Sequence, residues 1–334
     1  IEMVPPPGFS KSYQVDAGTW SDDGAQALCL LDSLLTCGSF SLHDFSNRLL
    51  AWYEQGLWAV DNVVFDVGFQ TGLALSAYKT GLSPEKCGLL KPDGKGNGAL
   101  MRTLPLALYH SGTDKELVLD AHKQCLITHG HPCNQVCCAL YCLIARFLLY
   151  GMDFPSALLK AIHTLREIYQ DMPEYEQELE WSIQPDLPFI GSGTGYVIDC
   201  LRSTFMILGD AADYEDAVKH AIMLGNDTDT TACVTGGLAG ILFGFSSIDC
   251  WFFSSRSILL IRSTEVISIL CNLPSVFHPS NYCPISRVLS SILFVAFIAV
   301  TFASYARVAS IKFVISVIGL TFGYVTYPSS SESG

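Results

Sequence analysis

Two short runs of the sequence set carboxylates and hydroxyls side by side just ahead of an apolar stretch. One is Trp20-Ser21-Asp22-Asp23-Gly24; the other is Gly225-Asn226-Asp227-Thr228-Asp229-Thr230. The plainest use of such residues is helix capping, because Ser, Thr, Asp and Asn accept hydrogen bonds from the free amides of a first turn. One capping residue per helix is enough, however, and adjacent carboxylates repel each other. Four carboxylates brought together by folding would call for a cation. An all-oxygen donor set points to Mg2+, Mn2+ or Ca2+ over zinc. Two such clusters meeting could hold two ions, an arrangement that binds substrate oxygens and activates water. A third feature is the turn Gly96-Asn97-Gly98. Without side chains at its two glycines, its amides could approach a diphosphate or ribose closely, or it could be a plain tight turn.

The elements that must position these residues read as helices. Apolar residues recur at three- and four-residue steps over 23–35, 42–55, 67–80, 117–128, 132–150, 154–170, 196–208, 214–224 and 230–245, and clear period-two strands are missing. Ser41 and Asp153 are expected N-caps, and Gly38, Gly56, Gly81 and Gly151 follow helical runs as stops. Residues 84–98 and 171–195 are the longest irregular stretches. No linker precedes Pro274, so residues 1–273 read as one all-α domain. The helix after Asp229 carries Gly236, Gly237, Gly240 and Gly244 without a charge. Each glycine weakens a helix by about 1 kcal/mol relative to Ala, which close backbone approach in a crowded core would explain better than a membrane-packing face.

Composition bounds the class. The 334 residues are 50% hydrophobic and 15% charged, with 19 Lys+Arg against 32 Asp+Glu for a net charge of −13. Such a chain can bury enough apolar surface to fold, and without a basic run it makes a poor partner for nucleic acid. The mean hydropathy of +0.34 is concentrated at the end. From Val288 onward the only charges are Arg307, Lys312 and Glu332, which leaves −14 on residues 1–287. Val288–Ala306 is long enough to span a thin hydrocarbon core. With the shorter run Phe313–Tyr327 it could form a transmembrane hairpin, or the segment 274–334 could be an apolar tail of no selected function. The chain opens at Ile1 with no secretory signal in view. Its 13 cysteines include no CxxC pair in the body; Cys133, Cys137, Cys138 and Cys142 fall at helical spacing and read as buried thiols before a metal site. Unpaired thiols suit a reducing compartment, so a cytoplasmic location is expected, with membrane association through 288–327 as the alternative.

With these residues in place, the chain resembles the ADP-ribosylglycohydrolase family. The stretches carrying the likeness occur in order: GTWSDDGAQALCLLDSLL, FDVGFQTGLALSAYKTG, GNGALMRTLPLAL, THGHP, GTGYVIDCL and GNDTDTTACVTGGLAGILFG, the last being long and specific. The likeness covers roughly residues 1–273. It implies a compact, orthogonal multi-helix bundle with two magnesium ions, manganese being the alternative. It also implies cleavage of the glycosidic bond between ADP-ribose and an acceptor, either a protein side chain or a small molecule.

Residue by residue, the resemblance makes Ser21, Asp22 and Asp23 metal ligands from one side and Asp227, Asp229 and Thr230 from the other. Gly96, Asn97 and Gly98 would face the ligand. His129 matches a histidine that lines the ligand pocket in relatives, His131 would stand behind it, and Tyr196 could stack on a ring of the ligand or belong to the core. The departures are specific. Relatives begin with a Gly/Ala-rich helix followed by a glutamate near the scissile bond, and nothing before Trp20 matches it, so the catalytic group is unassigned. A chain lacking that glutamate would be a metal- and ADP-ribose-binding module that turns over slowly. Lys95 and Gly24 replace small polar residues common in the family. If the tail is an anchor, deleting 288–334 should move the protein from the membrane pellet to the supernatant; unchanged partitioning would count against an anchor.

Overall fold

Amphipathic and wholly apolar helical runs dominate because no stretch of this sequence offers the alternating pattern that a half-buried strand needs. The computed structural model describes residues 19–244 and Ser247. It contains eleven α-helices: α1 (Asp22–Cys37), α2 (Leu42–Gln55), α3 (Phe69–Lys79), α4 (Leu104–Tyr109), α5 (Asp114–Leu126), α6 (Pro132–Leu149), α7 (Phe154–Tyr169), α8 (Pro173–Gln177), α9 (Val197–Asp210), α10 (Tyr214–Met223) and α11 (Thr228–Phe243). A π-helical segment, Glu178–Ile183, continues α8. Among the described residues the only β-pairing is an isolated antiparallel bridge between Gly96 and Tyr196. The apolar segments 288–306 and 313–327, like the N-terminal departures, lie outside the described residues.

Helix limits follow local chemistry. Ser41 accepts from the Asp44 amide to open α2, and Asp153 accepts from the Ser156 amide to open α7. Gly38 and Gly56 close α1 and α2 in the left-handed region, at φ +72° and +73°, where a side chain would cost conformational energy. Helix α5 begins three residues before the expected Leu117, because Thr113 and Glu116 form a reciprocal capping box. Helix α3 starts at Phe69, two residues late, since Gly68 holds an extended conformation. The short α4 and α8 are additional; each has Pro at its first turn, where the missing amide is harmless.

Helix α6 is the centre of the molecule. Its 18 residues are long and apolar enough to cross a membrane by length and composition, yet 89% of them are buried inside the protein. It packs against α4, α5, α7, α9 and α11. Cys133, Cys137, Cys138 and Cys142 are fully buried free thiols on this helix, and desolvation pushes the Cys137 and Cys138 thiols well above their ordinary range. They act as small apolar side chains. The glycines of α11, Gly236, Gly237 and Gly240, are likewise buried, and α11 packs on α6, α9 and α10. Leu143, buried completely in α6, is expected to cost about 2–5 kcal/mol when changed to Ala in urea denaturation. Leu159→Ala, on an exposed face of α7, should stay within about 0.5 kcal/mol.

Candidate functional site

The two acidic clusters occupy the first turns of α1 and α11, and neither works as a cap. Ser21 and Asp227 stand at the N-cap positions, but neither makes a side-chain capping hydrogen bond. Elsewhere in the chain Ser41, Thr113, Asp153 and Asp213 all do. Asp22 and Asp23 begin α1, and Asp229 lies inside the first turn of α11, which starts two residues earlier than its apolar pattern suggests. The carboxylates are therefore free to point elsewhere, and they point into one cavity.

That cavity has a volume of about 250 Å3. Asp22, Asp23, Asp227, Asp229 and Thr230 line it, together with Gly96, Asn97, Gly98 and His129. Ser21 stands behind it, its hydroxyl donating to Asp23 Oδ2 at 2.9 Å. Tyr196 is not part of the lining and is 43% exposed. Its backbone is bridged to Gly96 through the neighbours on either side: the Asn97 amide donates to the Gly195 carbonyl at 3.0 Å and the Val197 amide to the Lys95 carbonyl at 2.9 Å. These bonds fix the glycine turn against the start of α9. His131 turns out to cap α6, its Nδ1 accepting from the Cys133 amide at 3.1 Å.

Asp66, Gly68, Phe69, Gln70, Thr71 and Met101 complete the wall. Asp66 was not singled out from the sequence, although FDVGF repeats the theme of a carboxylate just ahead of a helix. It is delivered by a connection in which Trp58, Asp61, Asn62 and Asp66 all have positive φ, a conformation that costs non-glycine residues energy. The loop is held by the Trp58 indole donating to Asp32 Oδ2 at 3.0 Å and by the Trp20 indole donating to the Trp58 carbonyl at 2.8 Å.

Glycines are required where backbones close on the site. A Cβ on Gly98 would come within 2.9 Å of the His129 ring, and one on Gly195 within 3.2 Å of Asp227 Oδ2. The second acidic loop turns through Gly225 and Asn226, both left-handed. It is tied down by Asn226 Nδ2 donating to the Ser192 carbonyl at 3.0 Å and by the Asp227 amide donating to Gly193 at 2.8 Å. Asp227 Oδ2 in turn accepts from Asn97 Nδ2 at 2.8 Å, joining the glycine turn to α11.

The electrostatics of the cavity are unfavourable to its own charges. Burial and the neighbouring carboxylates raise Asp22 and Asp229 well above the ordinary range. Asp23 is pushed up to about 7 by burial and by Asp227, against the opposing pull of the Ser21 hydroxyl. Asp23 Oδ1 is buried with no hydrogen-bond partner, so an acceptor is left for something other than the protein. Among the described residues no group of three or more His, Cys, Asp or Glu converges tightly enough to chelate an ion as placed. The carboxylates ring the cavity, as mutually repelling groups do. Hard oxygen donors, an orphaned carboxylate oxygen and uncompensated charge all fit a divalent cation.

An all-helical body with carboxylates from two distant helix starts facing one glycine turn defines the class. The chain belongs to the ADP-ribosylglycohydrolase family, whose model matches residues 1–253. It is similar to the ADP-ribosylarginine hydrolase Tri1 of Serratia proteamaculans, with 29% identity over 71% of this chain and 63% of the relative. It is also similar to the ADP-ribosyl-[dinitrogen reductase] glycohydrolase of Rhodospirillum rubrum, with 25% identity over 71% of this chain and 73% of that one. A solved structure described as an ADP-ribosylglycohydrolase-related protein complex superposes with a TM-score of 0.57 at 26% identity, covering 85% of this chain and 82% of its own. The chain spans just under two thirds of the length of the Serratia relative.

Raised carboxylate pKa values make the metal-free protein's stability pH-dependent. A buried acid whose folded pKa lies above its unfolded value favours folding fully below the unfolded pKa, and that contribution is lost as pH rises through the folded pKa. For Asp23 the window runs from the ordinary 3.8 to about 7. In chelator, the wild type should lose unfolding free energy relative to Asp23→Asn as pH rises from about 4 to about 7. Parallel denaturation profiles for the two proteins across that window would contradict the buried repulsion.

Proposed function

We propose that this chain is a magnesium-dependent hydrolase that cleaves the glycosidic bond between ADP-ribose and an acceptor. The observation that carries the reading is the meeting, in one cavity, of acidic clusters some two hundred residues apart with the Gly96-Asn97-Gly98 turn and His129. Asp22, Asp23, Asp227, Asp229 and Thr230, with Ser21 behind them, would hold two Mg2+ ions, or Mn2+ in their place. Bound there, the ions would supply positive charge and Lewis acidity toward ligand hydroxyls.

The protein's own part is positioning. Gly96 and Gly98 leave their backbone open to the phosphate or ribose oxygens of a bound nucleotide. Asn97 holds Asp227 in place through its amide, and Met101 with Thr71 closes the inner wall. Tyr196, half-exposed beside the same turn, is placed to stack on a ring that extends beyond the cavity. The bond from the anomeric carbon to the acceptor breaks with its electron pair going to the acceptor, giving an oxocarbenium-like ribose; water adds to that carbon and its proton passes to the departing acceptor.

The name of the Serratia relative makes arginine-linked ADP-ribose the first acceptor chemistry to assay. Calorimetry with ADP-ribose should show binding that requires Mg2+ and is abolished by Asp22→Ala or Asp227→Ala. Equal affinity in those variants, or in chelator, would sink the metal assignment. Release of ADP-ribose from an ADP-ribosylated arginine peptide is expected from the wild type, whereas binding without release would favour the binding-module reading.

A further inference from the structure

Behind the cavity lies a buried cation that the reading above does not use. Arg102, just before α4, is completely inaccessible and makes no ion pair with a carboxylate among the described residues. Four of its five N–H donors go to neutral acceptors. Nη1 donates to Gln26 Oε1 at 2.8 Å, Nε to Gln124 Oε1 at 3.2 Å, and Nη2 to the Gln124 carbonyl at 3.1 Å and to Thr128 Oγ1 at 2.7 Å. From Gln26 the chain runs on to Asp22, whose Oδ2 accepts from Gln26 Nε2 at 3.2 Å. From Thr128 it runs to His129, with Oγ1 and Nδ1 2.8 Å apart. One buried guanidinium is thus linked through Gln26 to a wall of the acidic cluster and through Thr128 to the histidine opposite the glycine turn.

The direction of the last bond follows from what each group can give. A guanidinium only donates, so Thr128 Oγ1 accepts from Arg102. The Thr128 hydroxyl is itself fully buried, and its remaining hydrogen-bond contact is His129 Nδ1. If Nδ1 carried the proton, the hydroxyl hydrogen would be sealed in the interior without an acceptor. If Nδ1 is bare, it accepts the Thr128 hydroxyl hydrogen, and the ring proton resides on Nε2. That atom faces the glycine turn: it lies 3.2 Å from where a Cβ on Gly98 would sit and 3.5 Å from one on Gly96.

We propose that Arg102 and Thr128 are positioning residues that lock His129 as its Nε2–H tautomer, a neutral donor aimed across the glycine turn at an oxygen of the ligand. The ligand's identity as ADP-ribose rests on the function proposed above; the lock does not. Burial and the Arg102 charge push His129 down to about 3, which keeps the ring neutral across the working range and unfit to be a cation or proton carrier. The His129 backbone is anchored too, its amide donating to the Cys125 carbonyl at 2.7 Å.

The test is a long-range 1H–15N correlation spectrum of the full chain with 15N-labelled histidine, without ligand and then with ADP-ribose and Mg2+. The wild type should show the Nε2–H pattern for His129. Thr128→Val, which removes the relay hydroxyl at nearly constant volume, should introduce the Nδ1–H form and weaken ADP-ribose binding about tenfold, while Thr128→Ser restores both. An Nδ1–H wild type, or a Thr128→Val protein with an unaltered tautomer, overturns the lock. An Nδ1–H wild type overturns the lock without any variant, so a poorly folding variant does not shield the proposal. An Nε2–H wild type that binds no ADP-ribose upholds the lock and counts instead against the function proposed for the cavity.

Discussion

Buried like charge is the constraint around which this protein is organised. Asp22, Asp23, Asp227 and Asp229 share a cavity in which each raises the free energy of ionising another. The fold tolerates this because several weak compensations converge. The carboxylates sit at helix starts, where the peptide dipoles favour negative charge. The Ser21 hydroxyl donates to Asp23, and the side-chain amides of Gln26 and Asn97 donate to Asp22 and Asp227, while Arg102 lies one hydrogen bond further back. None is a full counter-charge at the cavity itself, and Asp23 Oδ1 still lacks a partner. An arrangement so poorly neutralised by its own protein is suited to receiving positive charge from outside.

The same constraint accounts for the loops. Repelling groups stay together only if the chain that carries them cannot relax, and each loop facing the cavity is held by several hydrogen bonds. Asp199 secures 192–194, accepting from the Ser192 amide at one oxygen and from the Thr194 amide and hydroxyl at the other. Asn134 Nδ2 reaches out of α6 to the Gly96 carbonyl at 2.6 Å, and Gln70 Nε2 bridges the carbonyls of Gly94 and Thr128. The core helix α6 is thus both the packing centre and a fixed mount for the glycine turn. Backbone in the left-handed region at Trp58, Asp66 and Asn226 is the kind of local cost that persists where surrounding structure over-determines a site.

Much of this was legible from residue types alone. The acidic clusters, the glycine turn, the helical class and the cap residues Ser41 and Asp153 are all local signals: each depends on a few neighbours in the chain and on chemistry that does not change with context. The limits of α5 and α11 were harder, because a capping box and a buried acidic turn start those helices ahead of their apolar stripes. Helices α4 and α8 are too short for a period to register, and the backbone bridge between Tyr196 and Gly96 leaves no local signal in the sequence.

What the sequence could not contain is the identity of partners far apart along it. Asp66, Arg102, Thr128 and Gln26 look ordinary in isolation, as an aspartate in a loop, a basic residue before a Leu-Pro pair, a threonine and a helical glutamine. Their significance arises when packing removes water and leaves each donor and acceptor only the groups that tertiary structure supplies. Chemistry-bearing residue types are written into the chain directly. Which of them are buried, which face one another, and which nitrogen of His129 holds its proton are decided by desolvation, and that is a property of the folded interior alone.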